Sequence, residues 1–348
     1  MLRRVVSVLT AVLLSIGTAK AQEVINGAGA TFPYPLISKW SSEYQKIKPR
    51  VRINYQAIGS GGGIRQLIAG TVNFGASDAP MTEEQLADAK KVHGDVIHIP
   101  ETLGAVVVVY NLPGVTANLK FDGKTIADIY LGKISAWNDS RIMSLNPGIK
   151  LPATKIVVVH RADGSGTTYI FADYLSKVSS EWDQKVGKST SLDWPAGIGG
   201  KGNDGVAGQV SRTPGAIGYV ELIYALQNDI SFADIKNVDG VYVHPSIPGV
   251  TEALANAAKT LPKDLRFSIT NAPGKTSYPI SSATWFLIYR NQPEYNQAKD
   301  VLEFMRWAVT EGQKYSADLD YAPLPGRIQK LNIEKLKSVT YNGESILK

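Results

Sequence analysis

Short β-branched runs alternate with helix-length amphipathic stretches along most of the chain. The segments "VRINYQAI", "AVVVVYNL", "KIVVVH", "GAIGYV" and "TWFLIYR" read as strands. The segments "PLISKWSSEYQKI", "GGIRQLIA", "TEEQLADAKKV", "YIFADYLSKV", "TEALANAAKT" and "NQAKDVLEFMRWAVTEGQ" carry the 3.6-residue period of helices. In the last, Ala298, Val301, Leu302, Met305, Ala308 and Val309 share one face, the pattern of a helix laid on a core. The alternation predicts an α/β fold. No repeat or low-complexity linker divides the chain, so two domains, if present, are interwoven rather than strung in series.

The N-terminus departs from this pattern. Arg3 and Arg4 precede the apolar run "VVSVLTAVLLSIG", and Ala19-Lys20-Ala21 is a small-x-small cleavage site, so residues 1–21 read as a secretory signal peptide. The run falls short of the ~20 residues that span a bilayer. The mature protein is expected to be soluble and periplasmic. With 44% hydrophobic residues among 348 and no cysteine, it must rely on its core rather than on disulfides. Charge adds little: 37 basic against 31 acidic residues give +6, and losing Arg3, Arg4 and Lys20 leaves 34 against 31, or +3. The basic residues are scattered, which argues against a nucleic-acid partner.

Candidate chemistry lies in glycine-rich loops. Three times a strand-like run feeds a loop of Gly, Ser or Thr that opens a helix: "NGAGATFPYP", "AIGSGGGIRQ" and "HRADGSGTT". A helix N-terminus offers unpaired N–H groups and partial positive charge, and glycine lets a ligand approach that backbone. Such loops suit an anion. Arg161 adds a guanidinium fork, Thr31, Ser60, Ser165 and Thr167 add hydroxyls, and Phe32 and Gly166 offer backbone donors. Competing motifs fail. Gly274-Lys275-Thr276 and Gly123-Lys124-Thr125 lack the first glycine of a nucleotide phosphate loop, and Phe32 and Ile64 occupy the third-glycine position of a dinucleotide fingerprint. His93, His98, His160 and His244 have no zinc spacing, so neither a metal nor a cofactor is expected.

The motifs "NGAGATFPYPLISKW", "IGSGGGIRQ", "NFGASDAP", "IYLGKISAWND", "LNPGIKLP", "HRADGSGTT", "WPAGIGGKGNDGVAGQV" and "TPGAIGYVE" together resemble the periplasmic phosphate-binding receptors of bacterial ABC-type uptake, from about Asn26 to Pro323. The resemblance implies a two-lobed type II periplasmic binding protein fold with discontinuous lobes and a two-strand hinge, lobe 1 being residues 22–102 plus 279–348 and lobe 2 residues 103–278. It implies phosphate contacts from Thr31, Phe32 (backbone), Ser60, Asp78, Arg161, Ser165, Gly166 and Thr167, with Asp163 holding the arginine. It further implies a non-catalytic monomer that delivers phosphate to membrane permease subunits. The loop "GIGGKGNDGV" is assigned to the cleft rim, and the tail from Ile328 to a surface helix and frayed end.

Asp78 is the unexpected member of an anion site. Hydrogen phosphate retains a proton to donate to a carboxylate, whereas sulfate has none. Two negative charges ~3 Å apart cost about 5 kcal/mol at an effective dielectric of ~20, on the order of a thousandfold against sulfate. Arsenate, with a proton and nearly the same shape, should be poorly rejected. Two alternatives remain from sequence: a secreted phosphomonoesterase with Ser60 or Ser165 as nucleophile, and a receptor for another oxyanion such as sulfate.

Overall fold

The computed structural model describes residues 22–257 and 261–348. The expected signal peptide and the last residues of the expected helix "TEALANAAKT" lie outside them. Strand β1 (Glu23–Gly29) pairs in parallel with β2 (Val51–Ala57) and β3 (Phe74–Ser77). Helix α1 (Tyr34–Ile47) connects β1 to β2; Pro35 lies in its first turn, and Leu36, Ile37, Trp40 and Tyr44 form its buried stripe. Helix α2 (Ser60–Ile68) connects β2 to β3. Helix α3 (Glu83–Val92) opens with a complete capping box between Thr82 and Gln85.

The apolar run around "AVVVVY" lies within a longer strand than the sequence suggested, β4 (Val96–Tyr110), buried throughout except at its first residue. It pairs with β7 (Ala216–Glu221) and β8 (Ser281–Tyr289), while β5 (Val157–Arg161) pairs with β7 and β6 (Ile198–Gly200) with β5, and the sheet order is β2-β1-β3-β8-β4-β7-β5-β6. Strand β4 pairs antiparallel with β8 up to Ala105 and with β7 from Val106 onward, so this one strand runs through both halves of the sheet. The β4–β8 register slips between Thr284 and Trp285: Thr284 faces Thr102 and Trp285 faces Pro100.

Helices α4 (Gly166–Val178) and α5 (Gly202–Arg212) follow β5 and β6. In helix α6 (Tyr295–Ala308) and its C-cap, all six residues of the predicted face are buried. The tail corrects the expectation. Ile328 and Leu336 of helix α7 (Gly326–Lys337) are buried, and the chain end pairs Thr340–Tyr341 with Glu344–Ser345 and buries Ile346 and Leu347. Two apolar residues next to the terminus gain more by docking than by fraying.

Candidate functional site

The stretch His160–Thr168 ends β5 and begins α4. Arg161 is 4% exposed, and its guanidinium grips Asp163 with two bonds: Nε donates to Oδ1 at 2.8 Å and Nη2 to Oδ2 at 2.6 Å. Asp163 Oδ1 also accepts the Gly202 N–H at 3.0 Å, which ties the loop to the start of α5. Burial pushes the Asp163 carboxyl up, but the Arg161 fork and the Gly202 N–H outweigh this and hold it below its ordinary value. The remaining guanidinium nitrogen, Nη1, is buried without a hydrogen-bond partner among the described residues. A buried donor left unpaired is costly, and an anion is its natural complement. The His160 ring stacks on Trp194 at 4.8 Å, with Nδ1 3.0 Å from the Arg161 carbonyl oxygen.

The hydroxyls have their acceptor sides occupied by the protein. Thr31 Oγ1 accepts from Asn203 N at 3.2 Å and from Asn203 Nδ2 at 2.8 Å. Thr167 Oγ1 accepts from the same amide at 3.1 Å. The amide is oriented in turn because its carbonyl accepts the Glu221 N–H at 2.9 Å. Ser60 Oγ accepts the N–H groups of Asp78 and Gly166 at 3.2 and 3.0 Å, and Ser165 caps α4 by accepting the Thr168 N–H. A hydroxyl has one proton and two lone pairs; Thr31 and Ser60 have both lone pairs engaged, Thr167 and Ser165 one each, and each keeps its proton to offer. Four hydroxyls are thereby poised as donors.

Asp78, 1% exposed, lies in the turn after β3 and accepts from Thr284 Oγ1 at 2.9 Å. Burial pushes its carboxyl up to about 7, against the opposing effects of Thr284, Arg161, Thr167 and Ser60. It is the one acidic side chain among the eight predicted contacts. Backbone shape brings these groups close. A Cβ on Gly166 would lie 2.4 Å from Ser60 Oγ and 2.6 Å from Asp78 Cβ. Gly59, at φ +84°, sits where a Cβ would lie 2.3 Å from Asp163 Oδ2.

The structure thus brings Thr31, Ser60, Asp78, Arg161, Ser165, Gly166 and Thr167 together with Asp163. Phe32 follows in the turn into α1, its ring fully buried at 6.2 Å from Tyr321, whose hydroxyl donates to the Phe32 carbonyl at 2.5 Å. The Gly166 N–H is engaged by Ser60 in this arrangement. Asn203 is the residue that sequence reasoning missed. The loop assigned to the cleft rim instead buries this side chain completely between two site threonines. Its signal was a polar residue at a glycine-rich helix start, the same signal that marked the other loops.

Comparison with known proteins places the chain in a family. Residues 17–311 match the family model described as the PBP superfamily domain. The chain is 48% identical over 307 residues to the phosphate-binding protein PstS of Xylella fastidiosa, covering 88% of this chain and 83% of that protein. It is 44% identical over 331 residues to the PstS of Pasteurella multocida, covering 94% of each. Among solved structures, a putative phosphate ABC transporter substrate-binding protein with bound phosphate from Clostridium perfringens superposes with a TM-score of 0.63 at 19% identity, covering 87% of this chain and 100% of that one. At that identity the likeness bears on the fold alone.

Proposed function

The chain belongs to the phosphate-binding PstS family of the PBP superfamily, and from that premise we propose that it captures inorganic phosphate between two lobes and hands it to the permease of an ABC transporter. It is a binding protein, and its fold is the two-lobed type II periplasmic binding fold. The observation that carries the site assignment is the polarity of the cluster: a buried, unpaired guanidinium nitrogen and four donor hydroxyls surround a single carboxylate. Such a set complements an oxyanion that still bears one proton. In our reading phosphate binds Thr31, Phe32 (backbone), Ser60, Asp78, Arg161, Ser165, Gly166 and Thr167, and receives both the Ser60 hydroxyl proton and the Gly166 N–H, which here donates to Ser60 Oγ.

We place the lobe boundaries near residues 102 and 279. Strand β4 changes partner at Ala105–Val106, and Ile280 receives the Val106 N–H at 2.9 Å, so two chain segments cross side by side there. Ser60 and Thr31 on one side meet Gly166 and Asn203 on the other, which is the contact expected of a closed cleft. Among the described residues no helix is long and apolar enough to cross a membrane. We assign the mature protein to the periplasm as a monomer.

Equilibrium dialysis of residues 22–348, stripped of anion, against labelled phosphate tests the reading. One phosphate per chain, lost in R161A, is expected; equal retention by R161A would remove the arginine from the site.

A further inference from the structure

Strand β4 contains a single carboxylate in an otherwise nonacidic run, "VIHIPETLGAVVVVY". Glu101 is 0% exposed, in a position where an unpaired acid is rarely found. Pro100 has no N–H to give to the ladder, and the register slip against β8 leaves Glu101 as the extra residue between the Pro100–Trp285 and Thr102–Thr284 pairs. Bulges of this kind re-aim a side chain, and this one aims a carboxyl at Thr284. Glu101 Oε1 lies 3.1 Å from Thr284 Oγ1, which lies 2.9 Å from Asp78 Oδ1. Among the described residues no Lys, Arg or His forms an ion pair with Glu101, and its Oε2 has no partner.

Thr284 has one proton and two carboxyl groups facing it. Were both carboxyls ionised, they would compete for that proton and repel each other inside the protein. With Glu101 protonated every hydrogen has a place: Glu101 donates to Thr284, and Thr284 donates to Asp78. We propose that Glu101 is a positioning residue, held as a neutral carboxylic acid, that locks the Thr284 hydroxyl onto Asp78 and leaves the other Asp78 oxygen to receive the proton of bound phosphate. The surrounding groups agree. Burial pushes the Glu101 carboxyl well above its ordinary value; the Thr284 bond opposes this, and the Asp78 charge adds to the rise. The other titratable groups facing the pair are Tyr55 of β2, whose hydroxyl donates to the Ala30 carbonyl, Tyr224 and Tyr321, all without positive charge, and Arg161, whose charge acts on Asp78 and favours keeping that carboxyl, rather than Glu101, ionised.

This role rests on phosphate binding at Asp78, and the test separates the two. Phosphate and sulfate affinities are measured across pH for the wild-type chain and for E101Q, E101L and T284V, alongside infrared spectra of the protonated-carboxyl region. Gln donates the same bond through its amide, so E101Q should keep phosphate affinity within about twofold. E101L should lower the sulfate-to-phosphate ratio of dissociation constants by about tenfold, the worth of one buried hydrogen bond, and raise the pH midpoint of sulfate exclusion. T284V should do the same, with no further loss in the double variant. The wild-type spectrum above neutral pH should hold a protonated-acid band that E101Q lacks. A tenfold or larger affinity change in E101Q, or absence of that band, would show an ionised Glu101 and overturn the proposal even if E101L fails to fold. Unchanged E101L with intact wild-type binding would overturn this role alone. A wild-type chain that ignores phosphate would overturn the functional reading and this role with it.

Discussion

Asp78 carries the specificity argument because every other polar side chain proposed to touch the anion offers a proton. Replacing it with Asn supplies an amide N–H where sulfate needs a donor, while keeping an oxygen for the phosphate proton. Asp78→Asn is expected to weaken phosphate modestly and to tighten sulfate by about a hundredfold at about pH 9, about two units above the Asp78 midpoint, read by competition titration. Its raised proton affinity also predicts a pH effect on the ligand-free fold. The folded carboxyl binds its proton up to about 7 against 3.8 ordinarily. Folding is therefore unpenalised by this group below about pH 4, loses stability as pH rises from there to about 7, and is then level, with an upper bound of about 4 kcal/mol. Thermal unfolding of Asp78→Asn should accordingly show a gain over wild type at about pH 8 that vanishes near pH 4. Asn203→Leu should remove the amide that orients two hydroxyls and cost about tenfold or more in phosphate affinity. The hydroxyls and Arg161 were legible because their loops have a local signature. The role of Asn203 was not, because it depends on meeting Thr31, 172 positions away.

At the scale of elements, helix starts converge on the site, and glycine sets how closely they approach. Gly166→Ala would drive a methyl into Ser60 and Asp78 across the cleft. Phosphate affinity should fall at least tenfold while the ligand-free midpoint stays within a few degrees, because the clash exists only when the halves meet. Thr82→Ala, which breaks the capping box of α3, should do the reverse: about 1 kcal/mol of stability lost and affinity unchanged. Most helices and central strands were readable from periodicity. Strand β1 was not, since "NGAG" reads as a loop until β2 and β3 supply its ladders. The Glu101 bulge was equally hidden, because a register slip is a property of two strands.

Over the whole molecule, strand β4 runs through both halves of the sheet, and in the proposed reading their groups complete one site only when the halves meet. The α/β class followed from the alternation of elements, whereas the interwoven lobes came from the resemblance, because periodicity says nothing about which strand sits beside which. If the halves hinge at the crossing near Ala105 and Ile280, phosphate should shrink the radius of gyration in solution scattering and sulfate should leave it unchanged. The central claim is that one buried carboxylate among donors selects an anion for its proton. Calorimetric titration of residues 22–348, stripped of bound anion, with phosphate and then sulfate at neutral pH tests it most directly. The account predicts stoichiometric phosphate binding and weaker sulfate, with the gap widening toward roughly a thousandfold when the titration is repeated above the Asp78 midpoint of about 7; affinities for the two anions that stay comparable above that midpoint would contradict it.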